Sequence, residues 1–127
     1  MAFVGLGIIT AGCVTQADYP PPPAAHVYAY HQMSPDEEGI VRESLSNLMK
    51  DPGSVQFRNV GAVRDETGAI TVCGEINAKN SFGGYVGFTP FYGRLAGGEF
   101  VPTTIADSVN FANAVGSACA NLGLTLG

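Results

Sequence analysis

The sequence predicts an α+β domain: an N-terminal helix, an antiparallel meander of three or four strands, and a C-terminal helix packed on the sheet. Three observations predict it. Ser34-Pro35-Asp36-Glu37 opens a stretch whose apolar residues recur at helical spacing. Three segments between residues 55 and 93 are β-branched and aromatic and are separated by turn-forming runs. An alanine-rich tail then repeats apolar residues every three or four positions. The strands lie together between two helices instead of alternating with them. That order favours an antiparallel sheet in a two-layer sandwich over a parallel one.

The first helix is expected over 35–50. Ser34 can cap it, Pro35 suits the first helical position, and Glu37 completes a capping box. Asp36, Glu37 and Glu38 sit at the positive end of the helix dipole, which explains the only acidic cluster without a ligand. Ile40, Val41, Leu45 and Leu48 form one apolar stripe. Asp51-Pro52-Gly53 ends the helix. Strands are expected over 55–64 and 69–78, joined by Asp65-Glu66-Thr67-Gly68, and over 85–93. Pro90 cannot donate a ladder hydrogen bond, so its position belongs to an edge or a bulge. Gly97-Gly98 makes a turn into a short strand, Glu99-Phe100-Val101-Pro102. The last helix is expected over 104–121, with Thr104 as its cap.

In the strand 69–78, side chains alternate between the two faces. Ile70, Val72, Ile76 and Ala78 share one side and are expected in the core. Thr71, Glu75, Asn77 and Lys79 share the other and are expected to be wet. Cys73 falls in phase with the wet side. A bulge at Gly74 that flips the phase is the favoured resolution; the alternative is a last helix lying on the other face.

Composition bounds the function. A chain of 127 residues fits one domain, and a net charge of −5 gives no electrostatic support to nucleic-acid binding. Nucleophilic catalysis needs a base beside Cys or Ser, and the two histidines, His26 and His31, lie outside the expected domain. Glu75, Glu99 and Asp107 could serve as acid–base carboxylates only if they converged, and nothing in their spacing indicates that. The expectation is a protein that is not an enzyme, with no cofactor and no metal.

Residues 1–12 are uncharged and mostly apolar. They are too few to span a bilayer, which takes about 20, but they fit the apolar core of an export signal. Residues 13–33, with Pro20 to Pro23, read as an extended tether ahead of a single domain over 34–127. Thr10-Ala11-Gly12-Cys13 resembles the signal of bacterial lipoproteins, in which small residues precede a cysteine that is lipidated and becomes the mature N-terminus. Thr10 stands where that signal prefers leucine. No Lys or Arg precedes the apolar run, which a start further upstream would supply. The resemblance implies lipidation of Cys13, a membrane partner through that anchor, and a place on the periplasmic side of the outer membrane. With Cys13 lipidated, Cys73 and Cys119 remain as one disulfide in an oxidising compartment, or else as two buried thiols. The disulfide would contribute roughly 3–4 kcal/mol by loop closure.

Residues 73–88, CGEINAKNSFGGYVGF, carry what a bare hairpin leaves unexplained. Asn80 to Gly84 make the turn. Glu75, Asn77, Lys79, Asn80, Phe82, Tyr85 and Phe88 then offer amides, charge and aromatics for recognition of another protein. Cys73, Gly74, Asn77, Lys79, Asn80, Gly83, Gly84, Tyr85, Gly87 and Phe88, preceded by Asp51-Pro52, Ser54 and Phe57, resemble a pattern in small bacterial and phage envelope proteins of no established activity. The expected function is a non-catalytic envelope lipoprotein acting as a protein-binding or structural module. The alternative is an inhibitor or immunity protein against a cell-wall-degrading enzyme, using Lys79 as the plug.

Overall fold

A computed structural model describes residues 27–107 and 109–126, together with Gly5 and Gly7. Cys13, the rest of its signal and residues 14–26 of the tether lie outside the described residues. The order is β1 (Tyr28–His31), α1 (Pro35–Ser46), a 3-10 turn (Pro52–Ser54), β2 (Gln56–Asp65), β3 (Ile70–Asn77), β4 (Thr89–Ala96), β5 (Glu99–Ile105) and α2 (Val109–Asn121). The strands form one antiparallel sheet in sequence order, β1 to β5. The α+β class and the helix–meander–helix order are as expected.

The capping box at α1 forms as read. Ser34 Oγ accepts from the Glu37 N–H at 3.1 Å, and Glu37 Oε1 accepts from the Ser34 N–H at 3.2 Å. The helix stops at Ser46 rather than Lys50, because the N–H groups of Leu48 and Met49 turn back to Leu45 and Ser46 in a tighter i→i−3 pattern. Leu48 thereby leaves the stripe and is exposed, while Met49 packs on the core in its place.

Regular structure is already present ahead of Ser34. Tyr28–His31, assigned to the tether, is the edge strand β1 on β2, with Tyr28 opposite Asp65 and His31 opposite Ala62. The Val27 N–H donates to Glu66 Oε2 at 3.1 Å, and His31 Nε2 lies 2.9 Å from Glu37 Oε2, joining β1 to the start of α1. At the other edge, β5 continues through Thr103 and takes Thr104 and Ile105 from the predicted last helix. Three β-branched residues in a row fit a pleated strand better than a helix turn, so Thr104 pairs with Tyr92 instead of capping α2. The strand expected over 85–93 begins at Thr89, since Gly87 at φ 102° cannot continue an extended run. Only an isolated bridge, Lys79 to Tyr85, extends the pairing of β3 and β4. Pro90 sits inside β4 without loss. Its carbonyl accepts from Ala106, and within a strand the N–H and C=O of one residue face the same neighbour, so its missing donor points where β5 has ended.

The expected two layers are three. One face of the sheet carries Ala62, Ile70, Val72, Ile76, Phe91, Leu95 and Phe100 against Val41 and Leu45 of α1. The other carries Val63 and Cys73 against Val115 and Cys119 of α2, closed by Ala106 and Leu124. Cys73 is therefore in its regular phase, and the second resolution holds: α2 covers the supposedly wet face. Gly74 is not bulged. It faces Phe91 at close range, where an added Cβ would stand 2.8 Å from that ring and 2.9 Å from Val60. The bulge lies opposite, on β2 between Arg58 and Gly61, where Asn59 takes φ 53°. Asn tolerates that conformation better than most residues with a Cβ. Cys73 and Cys119 are joined, with Cα atoms 6.1 Å apart.

Candidate functional site

The seven residues proposed for recognition fall into two groups. Four build a protruding turn. The Asn80 side chain folds the turn around itself: its Oδ1 accepts from the N–H groups of Phe82 (2.9 Å) and Gly84 (3.2 Å). The backbone closes the same loop through Asn80 N–H to Gly84 O and Gly83 N–H to Asn80 O, with Gly83 at φ 80°. Lys79 is half-buried. Its N–H donates to Ser54 Oγ at 2.9 Å, and its ammonium lies 5.5 Å from the centre of the Tyr85 ring. Tyr85 in turn donates its hydroxyl to Ser54 O at 2.8 Å, and Lys50 donates to Ser81 Oγ at 3.2 Å. The turn is thus strapped to the segment following α1. Phe82, at its tip, is 97% exposed, and Val86 is exposed beside it.

The other three residues are not on that surface, which corrects the expectation for Glu75 and Asn77. Asn77 is buried, and its Oδ1 accepts the Gly87 N–H at 3.0 Å, holding the return of the turn. Glu75 is buried under the edge of α2. Its Oε2 accepts from Arg58 Nε (2.9 Å) and Nη2 (2.7 Å), and its Oε1 accepts from Asn59 Nδ2 (3.0 Å). Two charge-assisted bonds converging on one oxygen, and an amide on the other, offset the cost of burying that carboxylate. Phe88 is half-buried and lies beneath the Arg58 guanidinium, 4.0 Å from ring centre to Cζ.

Arg58, Glu75 and Pro90 make one cross-strand row on the α2 face, one rung from Cys73. Between this row and α2 runs a cleft of about 650 Å³, whose wall includes Ala112, Gly116 and Ala120. Sequence reasoning missed Arg58 and Asn59, and gave Ser54 no role beyond its place in the resembling pattern. The usable signal was the hairpin itself: pairing 55–64 with 69–78 through one extra residue on the first strand brings the cation opposite Glu75. Compared with known protein families, curated proteins and solved structures, the chain has no significant match in any of the three.

Proposed function

We propose that this chain is a cell-envelope lipoprotein, anchored through Cys13 on the periplasmic side of the outer membrane, that binds another envelope protein through the 79–86 turn without catalysing a reaction. The observation that carries the reading is Phe82: a fully presented aromatic on a turn already fixed by Asn80, Lys79 and Tyr85. Exposed apolar side chains on preorganised loops lose little entropy on docking, and aromatics dominate binding hot spots.

The placement of the chain entry fits this reading. Tyr28 pairs with Asp65 at one end of β2, whereas the turn follows Asn77, which pairs with Gln56 at the other. Ten strand residues separate the ends by roughly 30 Å. A tether leaving toward a membrane would therefore present the turn away from it. The inhibitor alternative receives less support, because the Lys79 ammonium lies over Tyr85 instead of standing free as a plug.

The test compares the wild-type chain with Phe82→Ser in capture from bacterial envelope extracts. A partner retained by the wild type and lost at least tenfold by the variant, with thermal stability unchanged, is expected. Equal recovery by both would remove the turn as the site. Mass spectrometry of the mature protein from membranes checks the anchor, with acyl chains on Cys13 expected.

A further inference from the structure

We propose that the cleft between α2 and the Arg58–Glu75–Pro90 row is a binding site for a small carboxylic acid with an apolar body. It is separate from the 79–86 turn and does not depend on the function proposed for it.

The ion pair at the cleft is lopsided. The Glu75 side chain is 5% exposed and the Arg58 side chain 48%. Both Arg58 bonds to Glu75 use Nε and Nη2, and Nη1 has no protein acceptor among the described residues. A molecule entering the cleft therefore meets the cation first, with its planar fork held rigid by the carboxylate behind it and by the Phe88 ring beneath it. Asp107 lines the neighbouring groove, which shares Phe88, Pro90 and Ala112 with the cleft. It repels an anionic head from that end and turns it toward Arg58. Asn113 and Ser117 add hydrogen-bonding groups to the wall, and Phe88, Pro90 and Leu126 supply the apolar surface. The volume falls in the range of small-molecule sites, and the lining mixes apolar surface with a few polar groups.

A second observation is independent of the charges. Gly116 sits in the interior of α2, where glycine weakens a helix relative to alanine. No close packing demands it, because an added Cβ there would meet nothing within 4 Å. The missing side chain instead leaves the cleft wall open.

The experiment titrates the oxidised full-length protein with 3-phenylpropionate and, separately, with the uncharged 3-phenylpropanamide, followed by amide and Arg58 Nε chemical shifts. The expected result is saturable shifts at Gly116, Ser117 and Arg58 with the acid, at least fivefold weaker with the amide. Gly116→Ala should fold with a raised Tm and still bind. Gly116→Leu should keep the wild-type circular dichroism and Tm yet lose binding at least tenfold. Shifts scattered over the surface, equal binding of acid and amide, or unchanged binding by folded Gly116→Leu would each overturn the proposal. Should Gly116→Leu unfold, Ser117→Leu on the same wall is the second variant, judged by the same loss.

Discussion

The two faces of one sheet hold their helices by different means. On the first face, α1 presses Val41 and Leu45 into a continuous hydrocarbon layer in which Phe91 stands edge-on to both Phe57 and Phe100. No covalent bond is involved. On the second face, α2 brings mainly small residues: Ala112 and Val115, with Gly116 and Ala120 over a cleft. Its firmest attachment is the bond from Cys119 to Cys73. The first helix is stabilised by apolar area, which is non-directional and spread over many contacts. The second is stabilised by one link and a few contacts around it, which leaves room beside it for a buried ion pair and open space. The comparison teaches that a disulfide can stand in for packing on a face that keeps a cavity.

The comparison can be broken first on the packed face. Leu45→Ala removes a fully buried side chain and leaves a void, and is expected to cost about 2–5 kcal/mol in chemical denaturation. A loss below about 1 kcal/mol would mean that the layer under α1 is not tightly packed. Next comes the clamp. Replacing Cys73 and Cys119 together by alanine should cost about 2–4 kcal/mol, and the loss should be concentrated in α2.

A third test concerns the ion pair under α2. Arg58→Ala takes the cation from the buried Glu75 carboxylate while Asn59 still donates to it, at an expected cost of about 1–3 kcal/mol.

The smallest effect lies at the seam between β1 and α1. The His31 side chain and, next, the Ser34 N–H hold the Glu37 carboxyl below the ordinary glutamate value of 4.5. A lowered folded value means that Glu37 contributes stability above the unfolded pKa and loses it as pH falls through the folded one. Glu37→Gln should therefore destabilise by less than about 1 kcal/mol at pH 6, the pair being partly exposed to solvent. The difference from wild type should vanish as pH drops well below 4.5. An equal difference at all pH values would reduce Glu37 to its neutral hydrogen bonds.

These regions were not equally legible in the sequence. The start of α1 was readable because capping is local: Ser34, Pro35 and Glu37 satisfy one another within four residues. The disulfide was readable because only two cysteines remain once Cys13 is set aside. The second face was not. Thr71, Cys73, Glu75 and Asn77 alternate like a solvated surface, and polarity alone cannot distinguish a side chain facing water from one satisfied inside. Glu75 is satisfied by Arg58 across the sheet and Asn77 by the Gly87 backbone, both contacts set by a bulge and a turn whose geometry is tertiary. The boundary of α2 failed for a related reason: Thr104 and Ile105 fit a helical stripe by spacing and a strand by branching, and pairing with β4 decided between them. Within the turn, Asn80 and the glycines were legible, while the fastening of Lys79 and Tyr85 to Ser54 was not.

The claim that α2 is held by its sulfur link and α1 by packing is tested most directly by native-state hydrogen exchange on the oxidised protein and on the Cys73→Ala/Cys119→Ala variant. The expected result is a loss of protection across residues 112–121, with the amides of α1 and of β2 to β4 changed far less. Protection falling equally in both helices, or remaining intact in α2, would contradict it.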